Sequence, residues 1–330
     1  MVRIGTRKSA LAIWQANQVK NGLEKNGYSS ILIPIESTGD KELSKPIYEI
    51  GVQGVFTKNL DQALLDKKID IAVHSLKDVP TLLPKEIEIS ACLKRGLVND
   101  VLVYHPNFLN WEESNSVGTG SLRRKAQWLR KYPNHIIENL RGNLETRLEK
   151  MKKSSWGGAI FAQAGLDRLN LLDEKFLVLD WMIPAPSQGI IGITSLIQNK
   201  NISKIVKKIN CTKTYLCAGI ERNFLRTLEG GCTAPIGANA FIDKEVVYFK
   251  YGLFSLDGKK AIIDECKISI DELNNAGENI AENLLKNGGS WKVRFAQFIN
   301  THCHVKKLLE VKYASLISIN CSLVHENSLS

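Results

Sequence analysis

Two kinds of apolar run alternate along this chain of 330 residues. Short, nearly unbroken runs at 69–73, 100–104, 159–162 and 190–195 predict strands buried on both faces, with further strands at 2–5, 31–36, 87–93, 136–140 and 176–179. Between them, Leu11, Trp14, Gln18 and Val19, then Phe56, Leu60, Ala63 and Leu64, then Leu122, Ala126 and Leu129 recur at helical spacing. Strand–helix alternation of this kind predicts an α/β architecture with parallel sheets covered on both sides. Residues 94–99, and 183–189 with two prolines and a glycine, read as two crossovers joining a pair of α/β units; a ligand is expected in the cleft such a pair forms. The last third reads differently: a helix at 212–228, a hairpin of 246–255 with 260–269 around Asp257-Gly258, and a helix at 276–286 predict a small α+β unit. Residues 291–330 show no single period and predict no fold.

Polar residues gather where strands hand over to helices. Arg7 and Lys8 stand beside Ser9, a helix N-cap; Arg123 and Arg124 follow Ser121, a second cap; Arg141-Gly142-Asn143 opens a helix that carries Arg147. Cations at a helix N-terminus oppose the macrodipole by a few tenths to about 1 kcal/mol unless an anion joins them, so three such starts predict a shared anion site. His74-Ser75-Leu76-Lys77-Asp78 sits at the C-terminal end of a buried strand, where open α/β sheets bind ligands. In 229–237, three glycines and Pro235 forbid a continuing helix and place Cys232 on a loop. From the loop alone, a reactive thiol and a small buried hydrophobe are both open.

Composition narrows the partners. Lys+Arg exceed Asp+Glu by 44 to 34, a net charge of +10, which calls for an anionic partner. The arginines lie singly or in pairs at junctions, with no continuous basic stripe and no nucleic-acid motif, so a small molecule bearing several carboxylates or phosphates is expected instead of nucleic acid. Seven scattered cysteines without a Cys-x-x-Cys pair predict reduced thiols and a cytoplasmic protein. No run approaches the roughly 18 apolar residues of a membrane span, so no membrane is expected. His302-Cys303-His304 offers too few ligands for a zinc site, and no metal is expected.

Thr6-Arg7-Lys8-Ser9, the run 70–80, Gly118-Thr119-Gly120-Ser121-Leu122-Arg123-Arg124, Leu140-Arg141-Gly142-Asn143 and Glu229-Gly230-Gly231-Cys232 together resemble the porphobilinogen deaminase (hydroxymethylbilane synthase) family, in register over roughly residues 1 to 290. The resemblance implies two α/β domains like those of periplasmic binding proteins, joined by a two-stranded hinge, and a small α+β third domain: 1–95 with 190–208, 99–185, and 212–290, with 291–330 a C-terminal extension. It implies a transferase of tetrapyrrole (haem) biosynthesis, a monomer. Four porphobilinogens are deaminated and joined head to tail on a dipyrromethane cofactor attached through Cys232, and water releases the linear hydroxymethylbilane. Asp78 would be the catalytic acid; Arg7, Arg123, Arg124, Arg141, Arg147 and Arg168 would bind carboxylates, supported by Ser9, Ser75, Lys77, Thr119 and Ser121. Gln53 and Phe56 lie in a segment that would act as a lid, where Gln53 replaces a lysine common in the family. The competing class is a two-domain anion-binding protein that catalyses nothing, with Cys232 a bystander.

Overall fold

The computed structural model describes residues 1–36, 57–172, 175–228 and 234–287. Their strands form three sheets. The first contains β1 (Val2–Arg7), β2 (Ser30–Ile35), β3 (Ile71–Ser75), β4 (Ile87–Cys92) and β10 (Ile191–Leu196), in the order β2-β1-β3-β10-β4. The second contains β5 (Asp100–Tyr104), β6 (Ser116–Gly118), β7 (Ile136–Glu138), β8 (Gly158–Ala162) and β9 (Phe176–Leu179), in the order β7-β6-β8-β5-β9. The two sheets share one plan, with one difference from the expectation of parallel strands. β10 pairs antiparallel with β3 and β4, and β5 pairs antiparallel with β8 and β9. The physical reason is the crossovers: each of these strands enters its sheet from the other unit, hence from the opposite end.

Burial on both faces explains the unbroken apolar runs. On one side of the first sheet, α1 (Ala10–Lys25) and α6 (Lys200–Lys207) pack Ala16, Val19, Leu23, Ile202 and Val206 onto Ile4, Ile71, Val73 and Ile193. On the other, α2 (Lys58–Leu65) packs Leu60, Ala63 and Leu64 near Ile69 and Ala72. The second sheet alternates likewise: Val101, Val103, Ala159 and Phe161 face α4 (Leu144–Lys152), while Leu102 and Ile160 face Trp128 of α3 (Leu122–Lys131) and Trp111 of the 3-10 turn Trp111–Glu113. A short helix α5 (Gln163–Arg168) follows β8. Helix α6 has no counterpart in the sequence reading, although Ile202, Ile205 and Val206 are helically spaced and Asn199 caps it, its side chain accepting from the Ile202 N–H at 3.2 Å.

A meander of β11 (Ile236–Asp243), β12 (Val246–Phe254) and β13 (Ala261–Ser269) forms the third sheet. One face lies on α7 (Thr212–Thr227) and α8 (Ala276–Asn287), with Phe224, Phe249 and Tyr251 at the centre of that core. The two crossovers run side by side, Gly96 N–H donating to Gly189 O at 3.0 Å and Leu93 N–H to Ile191 O at 3.0 Å. Gly189 has φ +81°, and a Cβ there would stand 2.8 Å from Leu97 O, so conformation and space both require glycine.

Candidate functional site

The carboxyl end of β3 projects the densest polar group of the first unit. Ser75 accepts a 2.8 Å hydrogen bond from Nε2 of the buried Gln15 on α1. The chain then makes a single 3-10 turn, Leu76–Asp78. β3 reaches two residues further than the apolar run, because its pairing with β10 continues through His74 and Ser75. His74, buried against Thr194 at 3.1 Å, has its basicity pushed down to about 3, first by burial and then by Arg7 and Arg222, and stays neutral. Lys77 Nζ donates to Gln188 Oε1 at 3.4 Å. Burial, then the neighbouring Arg124 charge, pushes Lys77 down to about 8, against the opposing pull of Asp78 and Asp100. Asp78 is half-buried and accepts no hydrogen bond from any described residue.

In the second unit, Ser121 caps α3 by accepting the Arg124 N–H at 3.4 Å, and Thr119 Oγ1 accepts the Ser121 N–H at 3.3 Å. The expected arginine pair follows, but both guanidinium groups turn inward onto one carboxylate of this chain. Asp100, fully buried at the head of β5, accepts Arg123 Nη1 at 2.7 Å on Oδ2, and Arg124 Nε and Nη2 at 3.0 and 2.9 Å on Oδ1. Arg123 also donates to Ile183 O and Arg124 to Ile160 O. Burial works against the Asp100 charge, yet Arg123 and Arg124 together hold its carboxyl far below the usual carboxylate range. For these two arginines, then, much of the anion that the helix dipole calls for is internal. Gln188 ties this group to the first unit: its Nε2 donates to Asp100 Oδ1 at 3.0 Å and to Val98 O at 2.7 Å, while its Oε1 accepts from Lys77.

The remaining arginines stand differently. Arg147, half-buried on α4, donates through Nε to Asn143 O at 3.3 Å, and its Nη groups find no acceptor among the described residues. Burial first, then Arg124 and Arg141, push it down to about 10, with Asp78 opposing. Arg141 is buried at the start of the α4 approach, and desolvation lowers its basicity. Arg168 donates to Gly189 O at 2.6 Å and lies over Trp14, on the crossover side. Ser9 caps α1 by accepting the Ala12 N–H, and Arg7 at the end of β1 is close enough to His74 to depress it. Lys77, Asp78, Asp100, Arg123, Arg124, Arg141 and Arg147 thus share one electrostatic neighbourhood, with five cations against two carboxylates. An excess of guanidinium donors fits a ligand bearing several carboxylates, each able to take a bidentate pair. Among the described residues no cluster suits a metal ion, and no helix is long and apolar enough to cross a membrane.

Cys232, Gln53 and Phe56 lie outside the described residues. Four residues that sequence reasoning passed over hold the site together: Asp100, Gln188, Glu221 and Arg222. Asp100, Glu221 and Arg222 each carried a signal. Asp100 heads the apolar strand Asp-Val-Leu-Val-Tyr, where a charge must be paired to be buried. Glu221 and Arg222 sit among Cys217, Ile220, Phe224 and Leu225, the buried residues of α7.

Residues 2–204 match the family described as "Porphobilinogen deaminase, dipyromethane cofactor binding domain", and residues 215–286 match "Porphobilinogen deaminase, C-terminal domain". A probable porphobilinogen deaminase of Methanocaldococcus jannaschii is 40% identical over 283 residues, covering 84% of this chain and 96% of that protein. The porphobilinogen deaminase of Campylobacter hominis is 39% identical over 294 residues, with coverages of 87% and 95%. That of Carboxydothermus hydrogenoformans is 40% identical over 293 residues, with coverages of 87% and 94%. Among solved structures, the periplasmic VFT2 domain of Bordetella pertussis BvgS is 12% identical over 63% of this chain and 86% of that one, at a TM-score of 0.39, too low to add to the assignment. With matches that run in order through all three sheets, this chain belongs to the porphobilinogen deaminase family.

Proposed function

We propose that Asp78 is the acid–base and cation-stabilising group of this enzyme, that Cys232 carries its cofactor, and that Arg7, Arg123, Arg124, Arg141, Arg147 and Arg168 bind carboxylates, with Ser9, Ser75, Lys77, Thr119 and Ser121 as supporting donors. Family membership makes the chain a hydroxymethylbilane synthase, which deaminates four porphobilinogens, joins them head to tail and releases the linear product by hydrolysis. The bound dipyrromethane supplies the pyrrole carbon to which the first substrate is joined.

The carrying observation is the concentration of Arg124, Arg147 and Lys77 around a carboxylate, Asp78, that accepts no hydrogen bond from the described residues. Cations hold the acetate and propionate of each pyrrole and leave Asp78 to the reacting centre. Departure of the aminomethyl nitrogen as ammonia breaks a C–N bond and leaves a cation conjugated with the substrate's pyrrole nitrogen. A carboxylate hydrogen-bonded to that N–H stabilises the cation, and Asp78 then takes the proton lost when the new carbon–carbon bond forms. Arg147, with its Nη groups open, is the arginine best placed to receive a carboxylate bidentately; Arg123 and Arg124 have less left to offer, and their loss should cost stability as well as binding.

The same reading divides the chain into 1–95 with 190–208, 99–185 and 212–290, and takes it to be a cytoplasmic monomer acting on a small molecule, without nucleic acid. Mass measurement of the purified protein tests it. A covalent addition of two pyrrole units to the 36.9 kDa chain, absent from Cys232→Ala, is expected. An unmodified, inactive chain would favour a non-catalytic anion-binding protein.

A further inference from the structure

Helix α7 leads toward the cofactor loop, but two of its buried residues face the rest of the molecule. Glu221 grips the crossovers: its carboxylate accepts Arg95 Nη1 at 2.6 Å, the Ser187 N–H at 2.5 Å and the Ala240 N–H of the third sheet at 2.6 Å. Arg222, next to it, reaches the turn that carries Lys77 and Asp78. Its Nη1 donates to Val79 O at 2.9 Å and Leu76 O at 3.4 Å, and its Nη2 donates to Pro80 O at 2.5 Å.

That turn has little structure of its own. It is one 3-10 turn of three residues, closed by the Val79 N–H to Leu76 O bond at 3.2 Å and tethered to β10's side by the Leu76 N–H to Ile190 O bond at 3.0 Å. Its Leu76 carbonyl and those of Val79 and Pro80, which follow it, converge on a single guanidinium, whose planar, rigid donors fix their relative directions as an ammonium could not. Leu76 O keeps the Val79 N–H as a partner and Pro80 is half-buried, but Val79 is buried, so its carbonyl has no ready replacement partner in solvent.

We propose that Arg222 is a positioning residue for the reaction: it sets the backbone of the Leu76–Pro80 turn and thereby aims the Asp78 carboxylate, so the third unit shapes the acid–base centre of the first. The proposal rests on the reading of Asp78 given above. Its effect on the reaction runs through the backbone that it holds at Leu76, Val79 and Pro80.

The experiment uses the full chain, loaded with cofactor, as Arg222→Lys, Arg222→Met, Asp78→Asn and the doubles of each Arg222 variant with Asp78→Asn. Misplacement of a catalytic group by about 1 Å costs on the order of 10² in rate, so Arg222→Met should lower kcat by about 10- to 100-fold, with cofactor content normal and KM for porphobilinogen within about threefold. Arg222→Lys, which keeps a charge and some of the bonds, should recover part of that loss. In the Asp78→Asn background, Arg222→Met should cost less than about threefold more, because no carboxylate remains to be misaimed. Wild-type kcat in a less heat-stable Arg222→Met protein would reduce Arg222 to a purely structural role and overturn the proposal, as would a full, independent loss in the double variant. Wild-type turnover in Asp78→Asn alone would sink the reading of Asp78 itself, and this proposal with it. Should Arg222→Met fail to fold, the same comparison made with Arg222→Lys decides.

Discussion

Replacing Asp100 by asparagine keeps the shape of the side chain and removes the charge to which both Arg123 and Arg124 donate. The carboxylate accepts four hydrogen bonds, at 2.7 Å from Arg123, at 3.0 and 2.9 Å from Arg124, and at 3.0 Å from Gln188. An amide has one acceptor oxygen. With its NH2 toward Arg123 it loses that bond and sets donor against donor; turned the other way it loses both Arg124 bonds and the Gln188 bond. At least one charge-assisted bond disappears, about 1.5–3 kcal/mol, and two guanidinium groups are left in a buried site without their counter-charge. Removing one partner of a buried ion pair typically costs about 3–5 kcal/mol in total. At about 2–4 °C per kcal/mol for a unit of this size, Asp100→Asn should melt roughly 6–20 °C lower than the parent at pH 7.

The pH dependence has a definite sign. Because the folded-state carboxyl is depressed relative to its unfolded value of 3.8, the stabilisation is fully present above that value and is lost only as pH falls toward the depressed one. The gap between parent and variant should therefore stay constant from pH 8 to about 5 and close only in strong acid. Thermal and urea unfolding followed by circular dichroism provide the measurement. A gap below about 1 kcal/mol, or one that closes near neutrality, would refute the assignment of Asp100 as the internal anion of this arginine pair.

Other consequences can be checked as directly. Lys77, pushed down to about 8, should lose its proton in the free enzyme as pH rises past that value, so kcat/KM should fall on the alkaline side, and Lys77→Met should remove that limb of the profile. Asp78→Asn should leave the cofactor assembled while single-turnover chemistry falls by at least about 10², and weakened binding with unchanged chemistry would restrict Asp78 to orienting the substrate. Arg147→Leu should impair carboxylate binding with little change in melting temperature, the opposite balance to Arg123→Leu; equal destabilisation of the two would remove the distinction drawn between them. Gly189→Ala, forced into φ +81° with its Cβ 2.8 Å from Leu97 O, should destabilise by about 1–3 kcal/mol, read as a shifted urea midpoint.

Local chemistry made much of this molecule legible. The strand at 100–104 and the strand at 176–179 were bounded correctly by their apolar runs, and Ser9 and Ser121 cap the helices that their positions before apolar-periodic segments predict. The five motifs name the family because they stand in the family's order, four of them following strands and the fifth lying in sequence between α7 and β11. What stayed hidden depends on distance in sequence. Asp100 meets Arg124 across 24 positions, Gln188 meets Asp100 across 88, and Arg222 meets Val79 across 143. No periodicity links such pairs. Arg123 and Arg124 at the start of α3 therefore read as part of a shared anion site when both already face an internal carboxylate, and the charged pair on α7 is not singled out.

The late return of the chain to the first sheet as β10 also constrains how the protein can be made. β10 lies inside the first sheet, between β3 and β4, and β5 lies inside the second, between β8 and β9. A ribosome that has finished β4 has supplied four of the five strands of the first sheet, with the gap between two of them still open. The strand that fills it emerges about a hundred residues later, roughly 5–20 s at ordinary rates of synthesis. Until then the unpaired edges of β3 and β4 are exposed to other chains. The first α/β unit cannot be cut out as a continuous fragment with its sheet intact, whereas the strands of the second, β5 to β9, all fall between residues 100 and 179. A gene for residues 1–92 alone would encode a first sheet missing its interior strand β10, so duplication or shuffling of that contiguous stretch would not yield a self-sufficient unit.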